Sequence, residues 1–161
     1  MTTTRLVTNE VKKMIGLVGE PYTWPEPLDR SAIRRFVQAT YEQKPQYADP
    51  SYAADSAGLC APPAYVIRPP FGFWDKGMLG EAAIPEVHIP GTTRTVNGGN
   101  ECEWFRPVRE GDTITQQARI ADIYERIGRG GPFAAIIAET VFTNQRGELV
   151  AVSRQTTIRL T

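Results

Sequence analysis

The chain has 161 residues, with 18 basic and 18 acidic side chains cancelling to zero formal charge, and a single histidine, His88. That length suits one domain over residues 1–161. The even charge leaves no electrostatic footprint for nucleic acid or an anionic membrane surface. Cys60 and Cys102 lack metal-ligand spacing and have one histidine to help them, so no metal is expected and two reduced thiols are. Met1 to Arg5 are followed by no apolar run, which predicts neither a signal peptide nor a spanning helix, and a cytoplasmic chain.

In chain order, Asn9 to Gly16 reads as a short helix capped by Asn9 and closed by glycine. Three prolines between 21 and 27 surround Tyr22, Thr23 and Trp24, which suits an edge strand. Asp29 or Ser31 then caps the clearest helix. Its apolar positions Ile33, Phe36, Val37, Thr40 and Tyr41 recur at helical spacing, with Arg30, Arg34, Arg35 and Gln38 opposite. Residues 42 to 96 are Pro-rich and irregular, with short helical pieces predicted at Pro50–Ala57 and Ala64–Ile67. The aromatic loop Arg68–Gly77 is expected to pack on something.

From Gly98 the pattern is β. Ile114, Gln116, Ala118, Ile120 and Tyr124 alternate with Thr113, Thr115, Gln117 and Arg119. Phe133 to Ala138 is apolar on both faces, as in a central strand. Asn144-Gln145-Arg146-Gly147 makes a hairpin turn before a last strand through Val150, Val152, Thr156, Ile158 and Leu160. One long helix ahead of a run of strands implies an α+β architecture, an antiparallel sheet wrapped around a helix.

Several segments stand together in a recognisable order: Leu17-Val18-Gly19-Glu20-Pro21, Pro45-Gln46-Tyr47-Ala48-Asp49, Ala61-Pro62-Pro63, Arg106-Pro107-Val108-Arg109-Glu110-Gly111-Asp112 and Tyr124–Gly131. With Asn97-Gly98-Gly99 and Phe142–Leu149 they resemble the FAS1-like (MaoC N-terminal type) dehydratase domain. That resemblance implies a hot-dog fold, and relatives that hydrate or dehydrate acyl thioesters without a cofactor. Catalytic relatives carry Asp-x-Asn-Pro-x-His after the central helix, where the imidazole takes a proton from water and backbone N–H groups hold the thioester oxygen. Aligned on Pro45, this chain has Glu42 for the Asp, Lys44 for the Asn and Tyr47 for the His. An ordinary tyrosine ionises near pH ~10, which makes it a poor base for water. Asn97 also stands where such relatives have His.

The pattern resembles the non-catalytic halves of two-subunit hydratases, such as the actinobacterial fatty-acyl and steroid-side-chain enzymes. The resemblance therefore implies an acyl-CoA ligand and a catalytic hot-dog partner supplying the His and Asp, with no catalytic residue in this chain. Tyr47 either lines an acyl pocket or closes the core. Arg126 and Arg129, among glycines 128, 130 and 131, either meet coenzyme A phosphates or decorate a solvated bend. Asn97 and Gly98 are candidates for ligand contact, although glycines so placed usually serve backbone geometry. His88 matches no motif position and reads as a surface or structural histidine, and Glu42 reads as a solvated helix-end carboxylate. Two rival readings remain: a self-sufficient hydratase using Tyr47 and Glu42, and a non-enzymatic acyl-CoA-binding module.

Overall fold

The computed structural model describes residues 5–49, 51–52, 58–67 and 86–161. The Arg68–Gly77 loop and most of the Pro50–Ala57 piece lie outside them. Five antiparallel strands form one sheet: β1 (Tyr22–Thr23), β2 (Arg94–Trp104), β3 (Ile114–Gly128), β4 (Gly131–Asn144) and β5 (Leu149–Leu160), in the spatial order β1-β3-β4-β5-β2. Four helices are described ahead of the long strands: α1 (Asn9–Lys12), α2 (Arg30–Thr40), α3 (Pro45–Ala48) and α4 (Pro63–Ile67). The doubly apolar segment 133–138 lies on β4, the middle strand of the sheet.

Helix α2 begins where Asp29 accepts from the amides of Ser31 and Ala32, so Asp29 and not Ser31 is the cap. Its buried stripe is Ile33 and Val37, with Phe36 packed at the margin. Tyr41 does not belong to that stripe. The helix stops at Thr40, and Tyr41 takes the left-handed position (φ 54°) and is 86% exposed. Helix α1 is likewise shorter than its sequence suggests, ending at Lys12 and capped by Thr8 rather than Asn9.

The register explains which face each strand residue takes. Ile114, Gln116, Ala118 and Ile120 are buried, as alternation predicts. A bulge between Ile120 and Asp122 then shifts the phase, so Ile123 enters the core and Tyr124 turns to the opposite face. On that opposite face Glu139 sits in one row with Arg119 and Arg154, at 2.7 Å from each. Burial pushes the Glu139 carboxyl up, but hydrogen bonds and charge from both arginines outweigh it and hold the group below its ordinary value.

Two clusters fill the inner face. One joins α2, α3 and α4 to Ile114, Phe142, Val150 and Ala151. The other packs Leu6, Val7, Val11, Val87 and Ile89 against Ile120, Ile123, Ala134 and Ile136. The two edges of the sheet differ. Along β3, the amides of Gly16, Gly19 and Trp24 donate to Ile120, Ala118 and Ile114, so residues 16–24 cover that edge. Among the described residues strand β2 pairs only with β5, and its eleven residues are mostly exposed.

Candidate functional site

Helix α3 follows α2 after a short connection whose geometry is set by Pro45. The residue before a proline is held extended, and Lys44 is so (φ −66°, ψ 129°), while Pro45 opens the helical turn. The carboxylate of Glu42 accepts from the amides of Gln43 and Lys44, which fixes the approach. One turn later Tyr47 points inward and is buried. The Cys60 amide donates to the Gln46 carbonyl, and the Ala61 amide donates to Val108. These bonds bring the 59–61 segment, α3 and the end of β2 together around a cavity of about 300 Å³.

The walls of that cavity are Tyr47, Cys60, Ala61, Pro63, Val66, Trp104, Phe105, Pro107 and Val108, with Gln46 and Arg106 as the polar members. No histidine, aspartate or glutamate lines it among the described residues. Phe105 is 48% exposed, a large apolar ring left in solvent at this end of the sheet. The core cluster that contains Tyr47 also holds two buried polar atoms without a hydrogen-bond partner among the described residues, Trp24 Nε1 and the Tyr65 hydroxyl. Burial, reinforced by the charge of Asp29, pushes the Tyr65 hydroxyl up to about 12, so it stays a neutral phenol.

A second, polar cavity of about 520 Å³ adjoins the first and shares Arg106 and Pro107 with it. Two turns build it. In 109–112 the Arg109 amide donates to Asp112 Oδ2, and Gly111 takes φ +84°. In 144–147 the Asn144 side chain accepts from the amides of Arg146 and Glu148, and Gly147 takes φ +74°. Gln145 ties the turns together, accepting from the Thr113 amide and donating to Asp112 Oδ1. Hydrogen bonds from Asn144 and then Arg146 hold the Glu148 carboxyl below its ordinary value.

The other residues singled out from the sequence lie elsewhere. Asn97 and Gly98 form the β2 bulge: Asn97 Oδ1 accepts from the Gly99 amide at 2.9 Å, and Gly99 takes φ +130°. A Cβ on Gly98 would lie 2.8 Å from Thr156 Cγ2 and 3.0 Å from Ile158 Cγ1, so glycine is required there for packing. Seven residues of strand separate Asn97 from Trp104, a span of about 23 Å. Arg126 and Arg129 sit farther still, in and beside the exposed β3–β4 hairpin, with Arg126 stacked 5.3 Å over the Tyr124 ring. The single chain therefore does not gather Tyr47, Asn97, Arg126 and Arg129 into one site. His88 is exposed between buried Val87 and Ile89. Glu42 lines a different depression, with Arg34, Tyr41 and Gln43. Cys60, Trp104, Phe105 and Arg106 join Tyr47 without any sequence signal of function. Backbone bonds made across the fold bring them there: the Cys60 amide to Gln46, and the Phe105 and Arg106 amides to Val150.

The chain is 29% identical over 140 residues to a UPF0336 protein of Thermobifida fusca (strain YX), spanning 84% of this chain and 86% of the relative. A UPF0336 protein of Saccharopolyspora erythraea is 30% identical over 151 residues, spanning 89% and 88%. Among solved structures, a chain of the ChsH1-ChsH2 complex from Mycobacterium tuberculosis superposes with TM-score 0.70 at 18% identity, covering 94% of this chain and 87% of that one. The HadBC (3R-hydroxyacyl-ACP dehydratase) complex from the same organism gives 0.63 at 22% identity, covering 90% and 96%. A MaoC-like dehydratase from Rhodospirillum rubrum gives 0.59 at 20%. The fold is thus the α+β hot-dog expected from the sequence. The family description "FAS1-like, dehydratase domain region" matches residues 13–153, and the chain belongs to that family.

Proposed function

We propose that this chain is the accessory, non-catalytic hot-dog subunit of a heteromeric enoyl-CoA hydratase or 3-hydroxyacyl dehydratase. In this reading its partner supplies the His and Asp, and this chain receives part of the acyl group in the Tyr47 cavity. One observation carries the proposal. The position where catalytic relatives place an imidazole is held by buried Tyr47, in a cavity with no histidine or carboxylate among its lining residues. Hydration needs a group that takes a proton from water within about 3 Å of it, and these walls offer none. An apolar cavity with a few polar groups at its rim suits ligand binding instead.

The open edge of β2 supports the partner half of the reading. Eleven residues of strand whose outer edge is unpaired among the described residues are a template for another strand. Two of the structural neighbours are themselves complexes of two named chains. The self-sufficient alternative is disfavoured by Glu42, whose carboxylate is committed to the Gln43 and Lys44 amides and does not line the Tyr47 cavity. The test is reconstitution. The purified chain is expected to give no hydration of an enoyl-CoA alone, and turnover when combined with a hot-dog chain carrying an intact Asp-x-Asn-Pro-x-His motif. Full turnover by the isolated chain would overturn the proposal.

A further inference from the structure

The two cavities that meet at Arg106 and Pro107 have opposite chemistry. One is walled by rings and aliphatic groups, the other by arginines, amides and carboxylates. The charges of the polar cavity are unevenly engaged. Glu110 is held by Arg30 at 2.9 Å, outside the cavity, and Glu148 by Arg146 at 2.8 Å. Asp112 is taken up by the Arg109 amide and by Gln145, with Arg146 at 4.0 Å. Two guanidinium groups remain weakly neutralised. Among the described residues the carboxylate facing Arg106 is that of Glu148, at 3.9 Å, and Arg106 is 55% exposed. The Arg109 guanidinium donates to the Gly58 carbonyl at 3.0 Å and pairs with no carboxylate among the described residues.

From this we infer an amphiphile site that straddles the Arg106–Pro107 ridge. The apolar end of the ligand lies under Tyr47 and Trp104, and its anionic, phosphate-bearing head lies over Arg106 and Arg109. Arginine presents a planar fork of donors to phosphate, and a guanidinium without a close carboxylate gives up little on recruiting one. The assignment rests on the reading of the Tyr47 cavity as the acyl site. It moves the phosphate contacts from Arg126 and Arg129, at the opposite end of the sheet, to arginines that border that cavity.

The test measures binding of three probes to the full chain: dodecanoyl-CoA, the dodecanoyl thioester of N-acetylcysteamine, which has the same acyl group and no phosphate, and dodecanoate. Protection of Cys60 from a thiol reagent reports filling of the apolar cavity, because Cys60 lines it. Arg106→Gln is expected to weaken dodecanoyl-CoA about tenfold, to flatten the salt dependence of its binding, and to leave the uncharged thioester unchanged. Arg106→Lys should keep the salt dependence. Unchanged thermal unfolding of Arg106→Gln separates this loss from misfolding. If the uncharged thioester binds and protects Cys60 but Arg106→Gln leaves dodecanoyl-CoA unaffected, the head site is wrong and the acyl cavity stands. Dodecanoate binding as tightly as dodecanoyl-CoA would overturn the phosphate assignment. If no probe protects Cys60, the acyl cavity and the head site fall together.

Discussion

The inner face of the sheet is covered by two different devices. Over Ile120, Ile123, Ala134 and Ile136, aliphatic groups from residues 6–11 and 87–89 pack on aliphatic groups. The covering chain is tied down where the Glu125 carboxylate accepts from the Leu6 and Val7 amides, at 2.8 and 3.0 Å. Over Ile114, Phe142 and Ala151 the cover is made of Trp24, Tyr47, Tyr65 and α2, with Phe36 set edge-on to Tyr65 at 5.2 Å. That half keeps a cavity and two buried polar atoms without partners, Trp24 Nε1 and the Tyr65 hydroxyl. The contrast is between a closed half and one that holds a cavity. The aliphatic half closes the fold, while the aromatic half leaves a space of about 300 Å³ and, among the described residues, two unsatisfied polar atoms.

The comparison can be broken first by truncating one buried residue in each half. Ile33→Ala under α2 and Ile120→Ala under the N-terminal segment should each lose about 2–5 kcal/mol in denaturant unfolding. Only Ile33→Ala should accelerate labelling of Cys60. Equal labelling in both variants would mean that the halves do not differ in kind.

A finer cut removes the two tethers. Asp29→Ala deletes the α2 cap and should lose about 1 kcal/mol. Glu125→Gln keeps the side-chain shape but replaces two charge-assisted bonds by neutral ones, and about 1 kcal/mol is expected. Hydrogen exchange should then rise at the Leu6 and Val7 amides in Glu125→Gln and at the Ser31 and Ala32 amides in Asp29→Ala. Spread of either effect across both halves would contradict the division.

Much of this division was legible in the sequence. The 3.6 spacing of Ile33 and Val37, the edge character of the Pro21–Pro27 segment and the central position of Phe133–Ala138 all follow from local pattern. Errors came where geometry is decided over long range. Tyr41 matched the helical period, but the chain had already turned left-handed. Tyr124 matched the strand alternation, but the bulge at Ile120–Asp122 reversed it. The row Arg119, Glu139, Arg154 needs two registers at once to be seen. The Tyr47 cavity was half legible: motif position pointed to Tyr47, whereas Trp104, Phe105 and Arg106 are held there by long-range pairing of the end of β2 with Val150 and Ala151.

The smallest stability effect concerns acid. Glu139 has its carboxyl held below the ordinary 4.5, so the stability it contributes is present above that value and is lost as pH falls through the lowered one. Wild type should therefore lose stability more steeply than Glu139→Gln as pH falls below about 4.5. This row lies on the sheet face opposite both covers, so acid should weaken the two halves alike. Parallel slopes for the two proteins would remove Glu139 from the account.

The central claim is that Tyr47 lines a binding cavity and takes no proton. Its most direct test is the turnover of Tyr47→Phe in the reconstituted complex, beside a variant of the partner lacking its motif histidine. Tyr47→Phe keeps the ring and should retain turnover within a few-fold, while loss of the partner's general base should cost on the order of a hundredfold or more. Abolished turnover in Tyr47→Phe, with assembly and acyl-CoA binding intact, would make this chain the catalytic one.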